Sequence, residues 1–145
     1  MNNLWGNSAL WIPVSIWFLA QLLKAISDII IFKKFNLKRL WGSGGMPSSH
    51  SALVMSITTY AALLRGIQSF EFAACLIFAS IVMYDAAGVR RAAGKQARVL
   101  NQMIENDGNI DMGEKLIELL GHTPFEVFMG AILGIVGTIA FYRIW

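Results

Sequence analysis

The sequence predicts an all-α integral membrane protein: a bundle of about four transmembrane helices, with amphipathic helices in the loop between the third and the fourth. Hydrophobic residues make up 56% of the 145 residues and charged residues only 14%. Soluble domains have roughly 45–50% and about 25% of these classes. The apolar residues also form runs long enough to cross a hydrocarbon core of about 30 Å as helices. The chain length predicts one domain over residues 1–145.

The same composition argues against several other classes of protein. The net charge of +3 does not indicate nucleic-acid binding, because the basic residues are confined to loops between apolar runs. Cys75 is the only cysteine, so neither a disulfide framework nor a cysteine metal site is expected. The N-terminus has no basic region and no small-residue cleavage site, and we expect no cleavable signal peptide.

The first apolar run, Ala9–Phe32, is long enough to span the membrane. Gln21, Lys24 and Asp28 interrupt it at spacings of three and four, so they share one helix face. Charged residues in membrane helices usually face the protein interior. A buried Lys24–Asp28 pair that holds helices together and a functional role are equally good interpretations.

The second apolar run, Ser51–Leu64, is too short to span unless its helix begins near Pro47. Proline is favoured in the first turn of a helix, and Ser48 or Ser49 can cap it. This start places His50 in the first helical turn.

The third span, Phe70–Val89, is followed by the polar stretch Arg90–Gly121, which is not apolar enough to cross the membrane. Within that stretch Gly94–Ile104 and Met112–Leu120 have the pattern of amphipathic helices, with a turn at 106–109 between them. We expect these helices to lie at the membrane surface or over the site.

The fourth span, Pro124–Trp145, contains Gly130 and Gly134 in a GxxxG spacing. This spacing lets another helix approach closely. The partner is either another helix of the same chain or a second copy, so a homodimer through these glycines is one of two alternatives.

The basic residues are concentrated in the two polar loops, which four spans place on one side of the membrane. The opposite side has only Arg65 and Arg143. By the positive-inside rule the loop face is expected to be cytoplasmic. The loop residues are Lys33, Lys34, Lys38, Arg39, Arg90, Arg91, Lys95, Arg98 and Lys115.

Three segments at the membrane boundary are expected to carry the chemistry: Gly42–Ser51 with the basic residues before it, Tyr84–Arg91 and Gly121–Glu126. Gly42–Ser51, GSGGMPSSHS, runs from glycines through a proline into a helix start. Free backbone N–H groups at a positive helix end make an anion site, most often for phosphate. In the third segment, His122 and Glu126 are four residues apart across a helix start, with Thr123 as a cap. Glu126 can then accept a hydrogen bond from one imidazole nitrogen and make the other a better base or nucleophile.

These parts together indicate phosphoryl transfer. His50 and His122 are the only histidines, and both lie at the start of an apolar helix on the same predicted face. One histidine can attack phosphorus while the other protonates the leaving oxygen. Asp85 is expected to pair with Arg90 or Arg91 and so to position an arginine.

The segments GSGGMPSSHSA, YDAAGVRRAAGKQARVLN and ELLGHTPFEVFMGAILG resemble the divergent, small bacterial and plastid branch of the phosphatidic acid phosphatase type 2 and vanadium haloperoxidase superfamily. The resemblance implies that His50 is the acid, His122 the nucleophile and Glu126 its orienting partner, where an aspartate is usual. It implies a lipid phosphatase of the bacterial cytoplasmic membrane that needs no metal and no cofactor. The implied phosphate-binding residues are Gly45, Ser48, Ser49, Lys38, Arg39, Arg90 and Arg91.

The chain departs from the wider family in two motifs. The first family motif has a lysine, six residues and then Arg-Pro, whereas Lys38, Arg39 and Leu40 stand here without the proline. The last family motif has an arginine six residues before the histidine, where this chain has Leu116. Arg90 or Arg91 is expected to replace it. The alternative function is a non-catalytic membrane protein that binds or transports a phosphorylated lipid or a small anion.

Overall fold

The computed structural model describes residues 6–32, 45–107, 115–118 and 120–144, and no strand occurs among them. The all-α class is therefore confirmed. The chain forms five α-helices in the described residues: α1 (Ser8–Phe32), α2 (Ser49–Arg65), α3 (Phe70–Ala87), α4 (Val89–Asp107) and α5 (Pro124–Ile144).

Three of the described helices are long and apolar enough to cross a membrane, and they begin at Ser8, Phe70 and Pro124. α2 has only 17 residues. At a rise of about 1.5 Å per residue it is about 25 Å long, which is less than the hydrocarbon core of about 30 Å. The predicted number of four spans is therefore not confirmed.

α2 is the centre of the bundle, since α1, α3 and α5 each pack against it. Its buried positions are mostly small or hydroxyl-bearing, including Ser51, Ala52, Ser56 and Thr58. Small side chains let neighbouring helix backbones approach closely where lipid supplies no hydrophobic driving force.

The buried hydroxyl groups of this core have hydrogen-bond partners. Ser56 Oγ lies 2.5 Å from Thr138 Oγ1 and so links α2 to α5. Thr58 Oγ1 donates to the Val54 carbonyl oxygen of its own helix at 2.7 Å. Because the membrane interior offers no water, such pairing removes the cost of burying a polar group.

α5 meets α2 through its glycines. A Cβ atom on Gly134 would lie 2.5 Å from the Ala52 carbonyl oxygen, and one on Gly130 would clash with the Ser48 carbonyl oxygen. Both glycines are therefore occupied by packing within one chain, which is the first of the two alternatives for the GxxxG spacing. A homodimer stays a prediction.

The loop between α4 and α5 differs from its prediction. The expected helix Gly94–Ile104 is confirmed within α4, but the expected helix Met112–Leu120 is wrong where it is described, because residues 115–118 and 120 are not helical. The backbone N–H and C=O of Leu116 bond to the side chain of Asn101, at 3.0 and 2.9 Å, rather than to a helical turn. The turn predicted at 106–109 extends beyond the described residues.

The packing of α5 on α2 predicts the effect of Gly134→Ala. In an open helix position this change stabilises by about 1 kcal/mol. Here the added Cβ has no room, and we expect a destabilisation of about 1–3 kcal/mol, measured by unfolding of the detergent-solubilised protein. Gly6→Ala is the matched control, because a Cβ on Gly6 meets nothing within 4 Å. Equal stability of the two variants would contradict the packing described.

Candidate active site

The start of α2, the junction of α3 with α4 and the end of the α4–α5 loop meet at one cavity. It brings together both histidines, which are more than seventy residues apart in the chain. The cavity has a volume of about 20 Å³, enough for about one water molecule. A larger group therefore has to sit at its mouth. The lining residues are His50, Val82, Asp85, Ala86, Arg90 and His122.

His50 is placed by the capped start of α2. Ser48 is the N-cap, and its Oγ accepts hydrogen bonds from the N–H and the hydroxyl of Ser51 at 3.4 and 3.0 Å. His50 is exposed and lies in the first helical turn, as the sequence predicted. The N–H groups of Ser49 and His50 have no partner within their own helix and remain a source of positive potential.

The Ser48 backbone N–H does not point to a free anion site. It donates to the Glu126 carbonyl oxygen at 3.1 Å, and this bond ties the start of α2 to the first turn of α5. Ser48 and Ser49 are buried and do not line the cavity. The described part of the segment, residues 45–51, therefore contributes the capped start of α2 rather than a ring of free N–H donors.

His122 is fixed at its backbone and at its ring. Its N–H donates to the Ala86 carbonyl oxygen at 2.9 Å, which anchors it to the last turn of α3. Its Nδ1 lies 3.3 Å from Glu126 Oε2. Glu126 is itself held by a capping box, since its Oε2 accepts from the Thr123 N–H at 2.9 Å and its N–H donates to Thr123 Oγ1 at 3.3 Å. This contact favours the tautomer that carries the proton on Nδ1 and leaves Nε2 unprotonated.

The environment of His122 favours the neutral form of its ring. Only 4% of the residue is exposed, and this burial lowers the pKa of His122 below its usual value, while the nearby Glu126 carboxylate acts in the opposite direction. The positive charge of Lys24 lowers the pKa further. A neutral, oriented imidazole at neutral pH is the form that a nucleophile needs.

Arg90 is the arginine of the cavity. Its Nε donates to Asp85 Oδ2 at 2.6 Å, and both residues line the cavity. Arg91 is exposed, and its backbone packs against Gly121 instead. Of the two arginines that the sequence left open, the structure thus brings Arg90 to the histidines and gives Asp85 the contact that orients it.

Lys24, whose role the sequence left open between structural and functional, is a charged neighbour of the site. The residue is 3% exposed, and a Cβ on Gly45 would lie 3.0 Å from its Cε. Its charge acts on both His50 and His122. A lysine within an apolar helix is the sequence signal for such a residue, because an ionisable group inside a membrane helix is usually functional.

The remaining predicted site residues lie away from the cavity or cannot be placed. Gly45 covers the Lys24 stem and does not line the cavity. Lys38 and Arg39 lie outside the described residues. In the described part of the chain, no three His, Cys, Asp or Glu side chains are grouped as metal ligands would be.

The charges around His122 predict opposite effects of two substitutions. Lys24→Met removes a nearby positive charge and should raise the pKa of His122, whereas Glu126→Gln removes the stabilising carboxylate and should lower it. The measurement is titration of ¹⁵N-histidine by NMR in a His50→Gln background, where His122 is the sole histidine. Lys95→Met, on the exposed side of α4, is the control and should leave the pKa unchanged. Shifts of the same sign would contradict this electrostatic description.

Comparisons with known proteins agree with the membrane setting of the chain. Residues 5–137 match the model of the family described as the divergent PAP2 family. An uncharacterized membrane protein of Bacillus subtilis (strain 168), YuiD, is 41% identical over 133 residues, which cover 83% of this chain and 84% of that protein. No solved structure matches the chain. The predicted resemblance is confirmed, and the chain is a membrane protein that belongs to the divergent PAP2 family.

Proposed function

We propose that this protein is an integral membrane phosphatase that hydrolyses a lipid phosphate monoester or diphosphate through a phosphohistidine at His122. The observation that carries the proposal is the meeting of His50, His122 and Arg90 at one cavity, with Glu126 on the far nitrogen of the His122 ring. Family membership supports a relation to phosphatases. The lipid nature of the substrate follows from the position of the site at the ends of membrane helices.

In the first step, His122 Nε2 attacks phosphorus and the bond from phosphorus to the leaving oxygen breaks. Protonated His50 donates its proton to that oxygen, which leaves as a lipid alcohol or a lipid monophosphate. Glu126 stabilises the positive charge that the His122 ring acquires. In the second step, water attacks the phosphohistidine, His50 takes the proton of the water, and inorganic phosphate leaves with His122 restored.

In this proposal, the negative charge of the phosphate is stabilised by Arg90, by the nearby charge of Lys24 and by the N–H groups at the start of α2. Arg90 is held in place by Asp85 at 2.6 Å, and guanidinium groups match phosphate oxygens in pairs. The resemblance also implies a contact from Ser49, although Ser49 is buried and does not line the cavity. The further contacts that the resemblance implies, from Lys38 and Arg39, belong to this proposal as additional cations.

A non-catalytic protein that binds or transports a phosphorylated lipid or small anion is the second candidate. Two departures from the wider family favour it: Lys38, Arg39 and Leu40 stand without the proline of the first motif, and Leu116 stands where the last motif has an arginine. This alternative predicts saturable binding without turnover, and histidine variants that still bind.

We further propose that the site faces the cytoplasm across a bacterial cytoplasmic membrane. The support is the concentration of lysine and arginine in the two loops next to the site. Lys115→Cys in a Cys75→Ala background places a single thiol on this face, since Lys115 is exposed. It should resist a membrane-impermeant maleimide in intact cells and react after lysis. Labelling in intact cells would reverse the orientation.

The phosphatase proposal predicts release of inorganic phosphate from a lipid phosphate by the purified protein in detergent with a chelator present. His122→Ala should abolish release, because it removes the attacking nitrogen. His50→Ala should slow it by about 10²–10⁴-fold, the usual contribution of a general acid. Lys95→Ala is the matched surface control and should keep wild-type activity. Vanadate should inhibit, because it adopts the five-coordinate geometry of the phosphorus centre.

A panel of lipid phosphate monoesters and diphosphates decides between the two candidates. Release no greater than that of a His50→Ala, His122→Ala double variant across the panel would overturn the phosphatase proposal. Saturable binding of the same lipids under those conditions would then establish the binding protein.

A further inference from the structure

Asn101 of α4 holds the segment that leads to His122. We call the described residues 115–118, 120 and 121 the connector. Asn101 Oδ1 accepts from the Leu116 N–H at 3.0 Å, and Asn101 Nδ2 donates to the Leu116 carbonyl oxygen at 2.9 Å. The side-chain amide thus pairs with both backbone groups of one residue, as a residue of a neighbouring strand would. Asn101 is 5% exposed, so water does not readily replace these bonds.

A second set of contacts fixes the connector farther along. Glu118 accepts from Asn101 Nδ2 at 2.9 Å and from Arg98 Nε at 3.3 Å. A Cβ on Gly94 would lie 2.5 Å from the Glu118 carbonyl oxygen, so α4 and the connector touch at their backbones. The connector is therefore pressed along one face of α4 and tied to it by Asn101.

The connector ends at the proposed nucleophile. Gly121 has a φ of +81°, in the left-handed region, and a Cβ there would lie 2.8 Å from the Arg91 Cα. The next residue, His122, bonds through its N–H to Ala86 in the last turn of α3 at 2.9 Å. The segment before His122 is thus anchored to α4, and His122 itself to α3.

We propose that Asn101 is a positioning residue for His122, because its amide sets the register of the connector and thereby the placement of the ring against Glu126. An asparagine suits this role, since one side chain supplies both the acceptor for the Leu116 N–H and the donor for the Leu116 carbonyl oxygen. The catalytic consequence rests on the proposed phosphatase function, whereas the effect on the His122 ring does not.

The test is Asn101→Ala, with Asn106→Ala as the matched control on an exposed position of the same helix. In a His50→Gln background without a histidine tag, ¹⁵N-histidine NMR reports His122 alone. The single Nδ1–H tautomer should change to a mixture in Asn101→Ala and persist in Asn106→Ala. With His50 intact, kcat should fall about 10- to 100-fold while KM changes less than about twofold, as expected for a misplaced reacting group.

A second pair of variants distinguishes a lost positioning contact from misfolding, because it moves the carboxylate from Glu118 to position 101. Asn101→Asp keeps the acceptor for Leu116 but places a second carboxylate beside Glu118; adding Glu118→Gln removes the repulsion and returns an amide donor. The double variant should recover part of the single tautomer and of kcat relative to Asn101→Asp. An unchanged tautomer in Asn101→Ala, or no recovery in the double variant, would overturn the inference. A changed tautomer in a protein that releases no phosphate would leave the inference standing and reject the phosphatase function.

Discussion

The close packing of α5 on α2 holds the two parts of the candidate site together. The glycines of α5 let its backbone reach the start of α2, where Gly130 lies against the Ser48 carbonyl oxygen. The backbone N–H of the same residue, Ser48, donates to the Glu126 carbonyl oxygen. α2 carries His50 and α5 carries Glu126, so one helix contact sets the distance between the proposed acid and the partner of the proposed nucleophile. Small residues at this membrane helix interface therefore position the candidate site as well as stabilise the fold.

The two histidines near this contact differ in exposure and in their partners. His50 is exposed and can exchange its proton, whereas His122 is buried and oriented by Glu126. Burial favours the neutral form of His122, and the carboxylate favours the charged form that develops during attack. In the proposed reaction this combination favours the unprotonated ring before attack and stabilises the positive ring that forms. Burial and the positive charges of Arg90 and Lys24 lower the pKa of His50 as well, so the negative charge of a bound phosphate has to favour the protonated form of His50 for it to act as the acid.

Much of this arrangement could be predicted from local sequence. The apolar runs predicted the long helices, because a helix needs about 20 apolar residues to span a membrane. The spacing of His122 and Glu126 predicted their contact, and the serines before His50 predicted its cap, since both depend only on helix geometry. The number of spans was less predictable because α2 is short and owes its place to packing against three helices.

The rest depends on contacts between distant parts of the chain. Met112–Leu120 has an amphipathic pattern, yet its described part is not helical, and Leu116 bonds to Asn101 instead. No local pattern reveals that pairing. Lys24 was visible as a lysine in an apolar helix, but only the fold brings its stem beneath Gly45 and its charge near both histidines. The sequence did not distinguish Arg90 from Arg91. In the fold, the junction of α3 with α4 places Arg90 against Asp85.

The central claim is that His122 Nε2 attacks phosphorus. Trapping the covalent phosphohistidine tests this claim most directly. The protein would be mixed with a lipid phosphate labelled with ³²P, quenched in base within milliseconds, digested and analysed by mass spectrometry. We predict a phosphoryl group on His122 that is stable in base and labile in acid. With a substrate whose leaving group needs no proton, it should be more abundant in His50→Ala, because the water that hydrolyses it then lacks its base. Turnover without label on His122, or label on another residue, would contradict this claim.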